Sequence, residues 1–120
     1  ESTYHFYYRK KEKSVKTLMP AILEYLTQNY QSVTLELLAM HFHYESTYLS
    51  KWIKSTTGKG YSAIVTDLKI QEACRLLTAT DKNIEEISEI VGYNSADHFT
   101  YTFKKVTGSA PRTYRKLLKQ

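Results

Sequence analysis

The sequence predicts an all-α fold: seven helices, arranged as two helix-turn-helix units joined by a long linking helix. Three observations point there. Apolar residues recur at three- and four-residue spacing through most of the chain, the mark of amphipathic helices. The stretch from Ala39 to Gly58 recurs in altered form from Ser88 to Gly108. Gly58, Gly108 and Pro111 stand where helices should stop or start.

Residues 1–14, ESTYHFYYRKKEKS, are rich in Tyr and Lys and carry no helical apolar stripe. They read as a linker or arm, and are the one place where a strand could hide. Val15, Leu18, Met19, Ile22, Leu23 and Leu26 then recur at helical spacing, ending near Tyr30. Pro20 suits a first turn and not an interior, so this helix either begins near Thr17 or is kinked. Thr34 can cap a short helix from Leu35 to about Phe42. After a turn at His43-Tyr44, a second helix runs from about Ser46 to Thr57 and stops at Gly58. The linking helix follows, within about 61–79, with Ile64, Val65, Leu68, Ala73, Leu76 and Leu77 as its apolar side. Asn83 and Glu86 have the spacing of a capping box for a helix reaching Val91. Gly92 turns the chain, and another helix runs from about Ser95 to Thr107. The last, at about 110–119, starts at Pro111.

The internal repeat pairs Leu38-Ala39 with Ile87-Ser88, His43 with Gly92 and Tyr44 with Tyr93. One residue is then inserted, after which Leu49 pairs with Phe99, Ile53 with Phe103, Lys54 with Lys104 and Thr57-Gly58 with Thr107-Gly108. In each copy a small residue (Ala39, Ser88) lies four positions before the turn residue (His43, Gly92). A small side chain lets the second helix cross close over the first. The turn residue is expected to need positive φ, which Gly adopts freely and His tolerates better than most. The two copies are thus predicted as helix-turn-helix units over about 34–58 and 83–108.

At 100° per residue, Leu49, Trp52, Ile53 and Thr56 share one face of the first copy's second helix, with Thr47, Ser50, Lys51 and Lys54 opposite. In the second copy Phe99, Thr102, Phe103 and Val106 oppose Asp97, Thr100, Tyr101 and Lys104. If the apolar face packs inward, the outer one presents short hydrogen-bonding side chains and Lys. That mixture suits reading base edges and gripping phosphates. Any surface helix has a polar face; duplication of the unit and the charge balance turn the reading toward DNA. The net charge is +5 and the isoelectric point about 9.2, which favours a polyanionic partner. Lys104, Lys105, Arg112, Arg115, Lys116 and Lys119 lie in the last 17 residues with no acid among them. Glu85, Glu86 and Glu89 sit on the first helix of the second copy, Glu86 and Glu89 turned from the phosphates.

With 120 residues the chain makes one domain or two very small units. Each copy alone is near the lower limit for an independent core, so the halves are expected to share packing. A linking helix of about 16 residues is a rod of roughly 24 Å. That length is compatible with reading helices about one duplex turn, ~34 Å, apart, and with bending of the DNA where the pitches differ.

These residues resemble the DNA-binding domain of the AraC/XylS family of bacterial transcription regulators over about residues 16–118. The match is carried by Leu38-Ala39, Phe42-His43, Tyr48-Leu49-Ser50-Lys51, Thr57-Gly58, Leu76-Leu77, Ile87, Val91-Gly92-Tyr93, Phe99, Phe103-Lys104-Lys105, Thr107-Gly108, Pro111 and Tyr114-Arg115. The resemblance implies sequence-specific promoter binding by residues 15–120, and commonly activation through contact with RNA polymerase. It puts base-reading sites at Glu45, Thr47, Ser50 and Lys51 and at Ala96, Asp97, Thr100 and Tyr101; the outward faces and the basic run add Lys54, Lys104 and Lys105 as candidate DNA contacts. Where the family often has Arg, this chain has Lys51 and Tyr101; Lys keeps the charge without the bidentate fork. Asp97 adds a negative charge, though a carboxylate can accept from cytosine N4. The first unit is therefore expected to dominate base reading and the second to contribute more through phosphates. Ser88 stands where Ala is usual.

An enzyme is not expected, nor a cofactor or metal. His41 and His43, two apart, diverge on a helix, Cys74 has no partner cysteine and should be buried or half-buried in the linking helix, and no Gly-rich phosphate loop is present. A lone cysteine fits a reducing compartment, and no apolar run approaches the ~20 residues of a membrane span. The expected location is the cytoplasm, at the nucleoid. The chain opens on Glu1 and not Met, which fits a piece of a longer protein with a sensing domain upstream. The rival reading is a basic helical module that binds a partner protein or an acidic membrane, for which Tyr4, Phe6, Tyr7, Tyr8, Arg9, Lys10 and Lys11 would serve.

Overall fold

The structure is a computed structural model that describes residues 17–119. The expectations for the arm at 1–14, and for Val15, lie outside the described residues. Those residues form seven helices and no strand: α1 (17–29), α2 (Leu35–Phe42), α3 (Ser46–Thr57), α4 (Tyr61–Ala79), α5 (Ile84–Ile90), α6 (Ala96–Thr107) and α7 (Pro111–Leu118). They divide into two compact units. The first takes residues 17–29 and 33–64, the second residues 30–32 and 65–119.

In the first unit, Leu18, Ile22 and Leu26 form the buried stripe of α1, one residue per turn. Pro20 lies in the first described turn of α1. The Thr34 hydroxyl accepts from the Leu37 N–H at 3.1 Å and starts α2. Leu38 and Ala39 of α2, and Leu49, Trp52 and Ile53 of α3, are buried. His43 closes α2 with φ +64°, the left-handed conformation expected of it and the one positive φ outside glycine among the described residues. Thr56, placed by periodicity on the inward face, is exposed. It lies in the last turn of α3, beyond the buried residues.

In the second unit, Ile70, Ala73, Leu76 and Leu77 of α4 pack with Ile87, Val91, Phe99 and Phe103. Ile70 was absent from the apolar side read from sequence, and Leu68, which was on it, is only half-buried. Tyr93, Phe99, Phe103 and Tyr114 form a chain of ring contacts with centroids 5.5, 5.7 and 5.3 Å apart. The expected capping box is present: the Asn83 side chain accepts from the Glu86 N–H at 2.7 Å, and the Glu86 carboxylate from the Asn83 N–H at 2.9 Å. Val106, expected inside, is 47% exposed. Like Thr56, it belongs to the last turn of its helix. Cys74 is half-buried and hydrogen-bonds Tyr114; that bond, then burial, holds the Tyr114 phenol above its ordinary pKa.

The repeat holds at the level of single hydrogen bonds. Tyr44 N–H donates to Ala39 C=O, and Tyr93 N–H to Ser88 C=O, each at 2.9 Å. Ala39 and Ser88 are both buried, as close crossing of two helices requires. Gly58 and Gly108 have φ +79° and +87°, and each donates to a lysine carbonyl one turn back (Lys54, Lys104) at 2.8 Å. The Thr57 hydroxyl donates to Ile53 C=O and Lys59 C=O, the Thr107 hydroxyl to Phe103 C=O and Ser109 C=O. The reading helices begin at aligned N-caps, Glu45 and Ser95. The inserted residue is therefore Asn94.

Candidate nucleic-acid interface

In each unit the second helix is held by its apolar side. Leu49 and Ile53 on α3, and Phe99 and Phe103 on α6, are 0% exposed. The inward face of each helix is thereby spent on packing up to its last turn, and the opposite side is left outward. On α3, Thr47, Lys51 and Lys54 are exposed and Ser50 is half-buried. On α6, Asp97, Tyr101, Lys104 and Lys105 are exposed, with Ala96 and Thr100 half-buried. Each unit thus gathers its predicted residues on the side away from its own core.

The two helix starts differ in charge. Glu45 is the N-cap of α3, and its Oε1 accepts from the Tyr48 N–H at 2.9 Å. The aligned Ser95 caps α6 through its hydroxyl, 3.1 Å from the His98 N–H. Glu45 therefore has a structural task besides any contact with a base. Its carboxylate also sits where a phosphate would otherwise meet a helix N-terminus. In α6 the corresponding negative charge is Asp97, inside the first turn. Tyr101 is 66% exposed and carries Lys105 over its ring, Nζ 5.9 Å from the centroid. The charge missing from position 101 thus returns one turn later as a cation resting on the ring.

Two of the six C-terminal cations are occupied elsewhere. Arg115 Nε donates to Leu77 C=O at 3.0 Å, and its Nη2 to Thr80 C=O at 3.1 Å. Lys119 Nζ donates to Thr80 C=O at 2.6 Å and pairs with Asp81 at 3.0 Å; that hydrogen bond and charge hold the Asp81 carboxyl below its ordinary pKa. Both side chains satisfy carbonyls at the C-terminal end of α4, where helix carbonyls lack internal partners and positive charge is favoured. In sequence they are indistinguishable from the cations expected to face DNA. The polar break Thr80-Asp81-Lys82 after a long helix was the available sign of an end needing a cap. Arg112 and Lys116 are exposed on α7.

A further cation, Lys69 on α4, braces the turn of the second unit. Its Nζ lies 4.9 Å from the Tyr93 ring centroid and 3.5 Å from the Gly92 carbonyl oxygen, and burial lowers its pKa. Gly92 itself has φ +97°, and a Cβ there would stand 2.4 Å from the backbone oxygen of Gln31. Among the described residues no helix is long and apolar enough to cross a membrane.

Residues 38–117 match a helix-turn-helix domain family. The chain is 36% identical over 89 residues to YobQ of Bacillus subtilis, named an uncharacterised helix-turn-helix-type transcriptional regulator; the match covers 74% of this chain and 37% of YobQ. It is 32% identical over 103 residues to the melibiose operon regulatory protein of Escherichia coli, covering 82% of this chain and 33% of that protein. The chain therefore spans about a third of the length of these relatives. Among solved structures, it resembles the C-terminal domain of AraT, a response regulator from Geobacillus stearothermophilus. The TM-score is 0.82 and the identity 29%, over 87% of this chain and 88% of that one.

Proposed function

We propose that this chain, which belongs to the AraC-type helix-turn-helix family, is the DNA-binding part of a transcription regulator and reads a promoter with both of its reading helices. The observation that carries the proposal is the duplicated division of labour on α3 and α6: buried apolar anchors on one side (Leu49 and Ile53, Phe99 and Phe103), and an outward side of polar and charged residues with Tyr101 among them. In the first unit Thr47, Ser50 and Lys51 contact base edges, Glu45 combines capping with base contact, and Lys54 takes a phosphate. In the second, Ala96, Asp97, Thr100 and Tyr101 meet the bases, while Lys104 and Lys105 hold the backbone. The reading helices enter successive major-groove segments. The duplication of the whole unit within one chain supports this.

The relatives' names, regulator and operon regulatory protein, support a role in controlling transcription. Activation through RNA polymerase, a sensing domain in the full protein and a place at the nucleoid in the cytoplasm belong to the same proposal. It is tested by selecting bound sites from random duplexes and titrating the winners against salt. Two specified segments about one helical turn apart are expected, with log affinity falling linearly as log salt rises. Equal binding to random DNA and to anionic liposomes would overturn it and favour a basic interaction module.

A further inference from the structure

The first unit carries a feature that the duplicated scaffold does not explain. Between α1 and α2 lies a cavity of about 390 Å³, lined by Glu24, Tyr25, Gln28, Asn29, His41 and Phe42 among others. Three rings form its aromatic wall. Tyr25 and His41 stack with centroids 4.2 Å apart, and Phe42 stands nearly perpendicular to both, at 5.9 and 4.9 Å. In the second copy the aligned residues are Ile90 and Val91, so the helix-turn-helix architecture does not require rings there. Glu24, exposed on the rim, adds a carboxylate. Rings together with an acid suit an aromatic or cationic side chain.

We propose that this cavity is the docking site of the chain's own residues 4–11, with a ring of Tyr4, Phe6, Tyr7 or Tyr8 against the aromatic wall and a cation of Arg9, Lys10 or Lys11 at Glu24. Both the chemistry and the connectivity choose this occupant. The segment joins four Tyr and Phe rings directly to three cations, the complement of a wall of rings with a carboxylate on its edge. It also leads straight into α1, whose residues supply much of the lining. Eight residues separate Tyr8 from Thr17, and the nine steps between them can span up to ~30 Å when extended. From Thr17 to Gln28 along α1 is only about 16 Å. A short tether raises the effective concentration to the order of mM, which favours this segment over a second copy of the chain in dilute solution. The proposal does not rest on DNA binding.

The test is NMR of the full chain, with ¹⁵N amides and the His41 ring protons as probes. A variant carrying Phe6→Ser, Tyr7→Ser and Tyr8→Ser should shift Ala21, Gln28 and His41 while leaving the α6 amides in place. Glu24→Lys should reproduce part of that shift. A nitroxide on Thr3→Cys, with Cys74→Ser, should broaden the same amides within one molecule. If the arm variant leaves His41 unmoved, the proposal fails. It fails equally if broadening appears only when spin-labelled unenriched chain is mixed with ¹⁵N chain, since the occupant is then a second copy. Should Cys74→Ser not fold, the His41 shift in the arm variant decides alone.

Discussion

Replacing Gly92 with alanine should destabilise this protein more than the same change at Gly58 or Gly108, although all three glycines share a positive φ near +90°. The values are +97°, +79° and +87°. An L side chain in that region strains the backbone by roughly 1–2 kcal/mol, and this cost is common to the three. The surroundings separate them. At Gly58 and Gly108 a new Cβ would meet nothing within 4 Å. At Gly92 it would stand 2.4 Å from Gln31 O, 2.9 Å from Gln31 Cα and 3.1 Å from Gln31 C, all backbone atoms. No rotamer change relieves that contact, so the chain at Gln31 or the turn itself must move. Forced overpacking of this kind adds about 1–3 kcal/mol. Gly92→Ala should therefore lose about 2–5 kcal/mol in total, against about 1–2 kcal/mol for each of the others. The assay is urea unfolding followed by far-UV circular dichroism, with thermal melting as a check at roughly 4–8 °C per kcal/mol. Equal losses at all three sites would refute the close approach of residue 31 to the turn.

Four other outcomes follow from the structure. Phe103, fully buried between Phe99 and Tyr114, should cost ~3–5 kcal/mol when cut to alanine; an unchanged melting temperature would mean that α6 packs by another face. Lys51→Ala should cost ~1–3 kcal/mol of binding and relax preference at one base pair, measured over a panel of single-base variants of the selected site. Uniform weakening would make Lys51 a phosphate contact. Glu45→Ser installs the cap used by α6, so stability should stay within about 0.5 kcal/mol while binding to random-sequence DNA tightens at low salt; unchanged binding would place position 45 away from the phosphates. Tyr61 is held mainly by burial, and secondarily by Glu36, at a pKa of about 12 against an ordinary 10.0. Its folded pKa lies above its unfolded one, so the stability it contributes is complete below pH 10 and is lost as pH climbs through about 12. Its buried hydroxyl finds no hydrogen-bond partner among the described residues. Tyr61→Phe should thus raise stability by ~1 kcal/mol and soften the alkaline loss seen in unfolding from pH 9 to 12, whereas a lower melting temperature would disprove this reading.

Much of the candidate interface could be read from the repeat alone. Helical periodicity separates an inward from an outward face wherever a helix packs by one side, so Thr47, Lys51, Asp97, Tyr101 and Lys104 emerged on the outside as expected. Periodicity does not say where along a helix the packing stops. Thr56 and Val106 keep the inward phase yet lie in a last turn that is exposed. Charge was legible as a sum and not as an allocation. Arg115 and Lys119 look the same in sequence as Arg112 and Lys116, but they cap a helix end 35 to 39 residues upstream.

What the chain determined by itself is local: where each helix starts and stops, which residues can turn with positive φ, and that the unit is used twice. These depend on backbone sterics and on hydrogen bonds spanning a few residues, so a short window of sequence contains their causes. The tertiary structure alone decided the rest. It gave Gly92 a second reason to lack a side chain, drew two basic residues onto the end of α4 and built the ring-lined cavity between α1 and α2. Each of these depends on which surfaces meet, a property of packing in three dimensions that spacing along the chain does not carry.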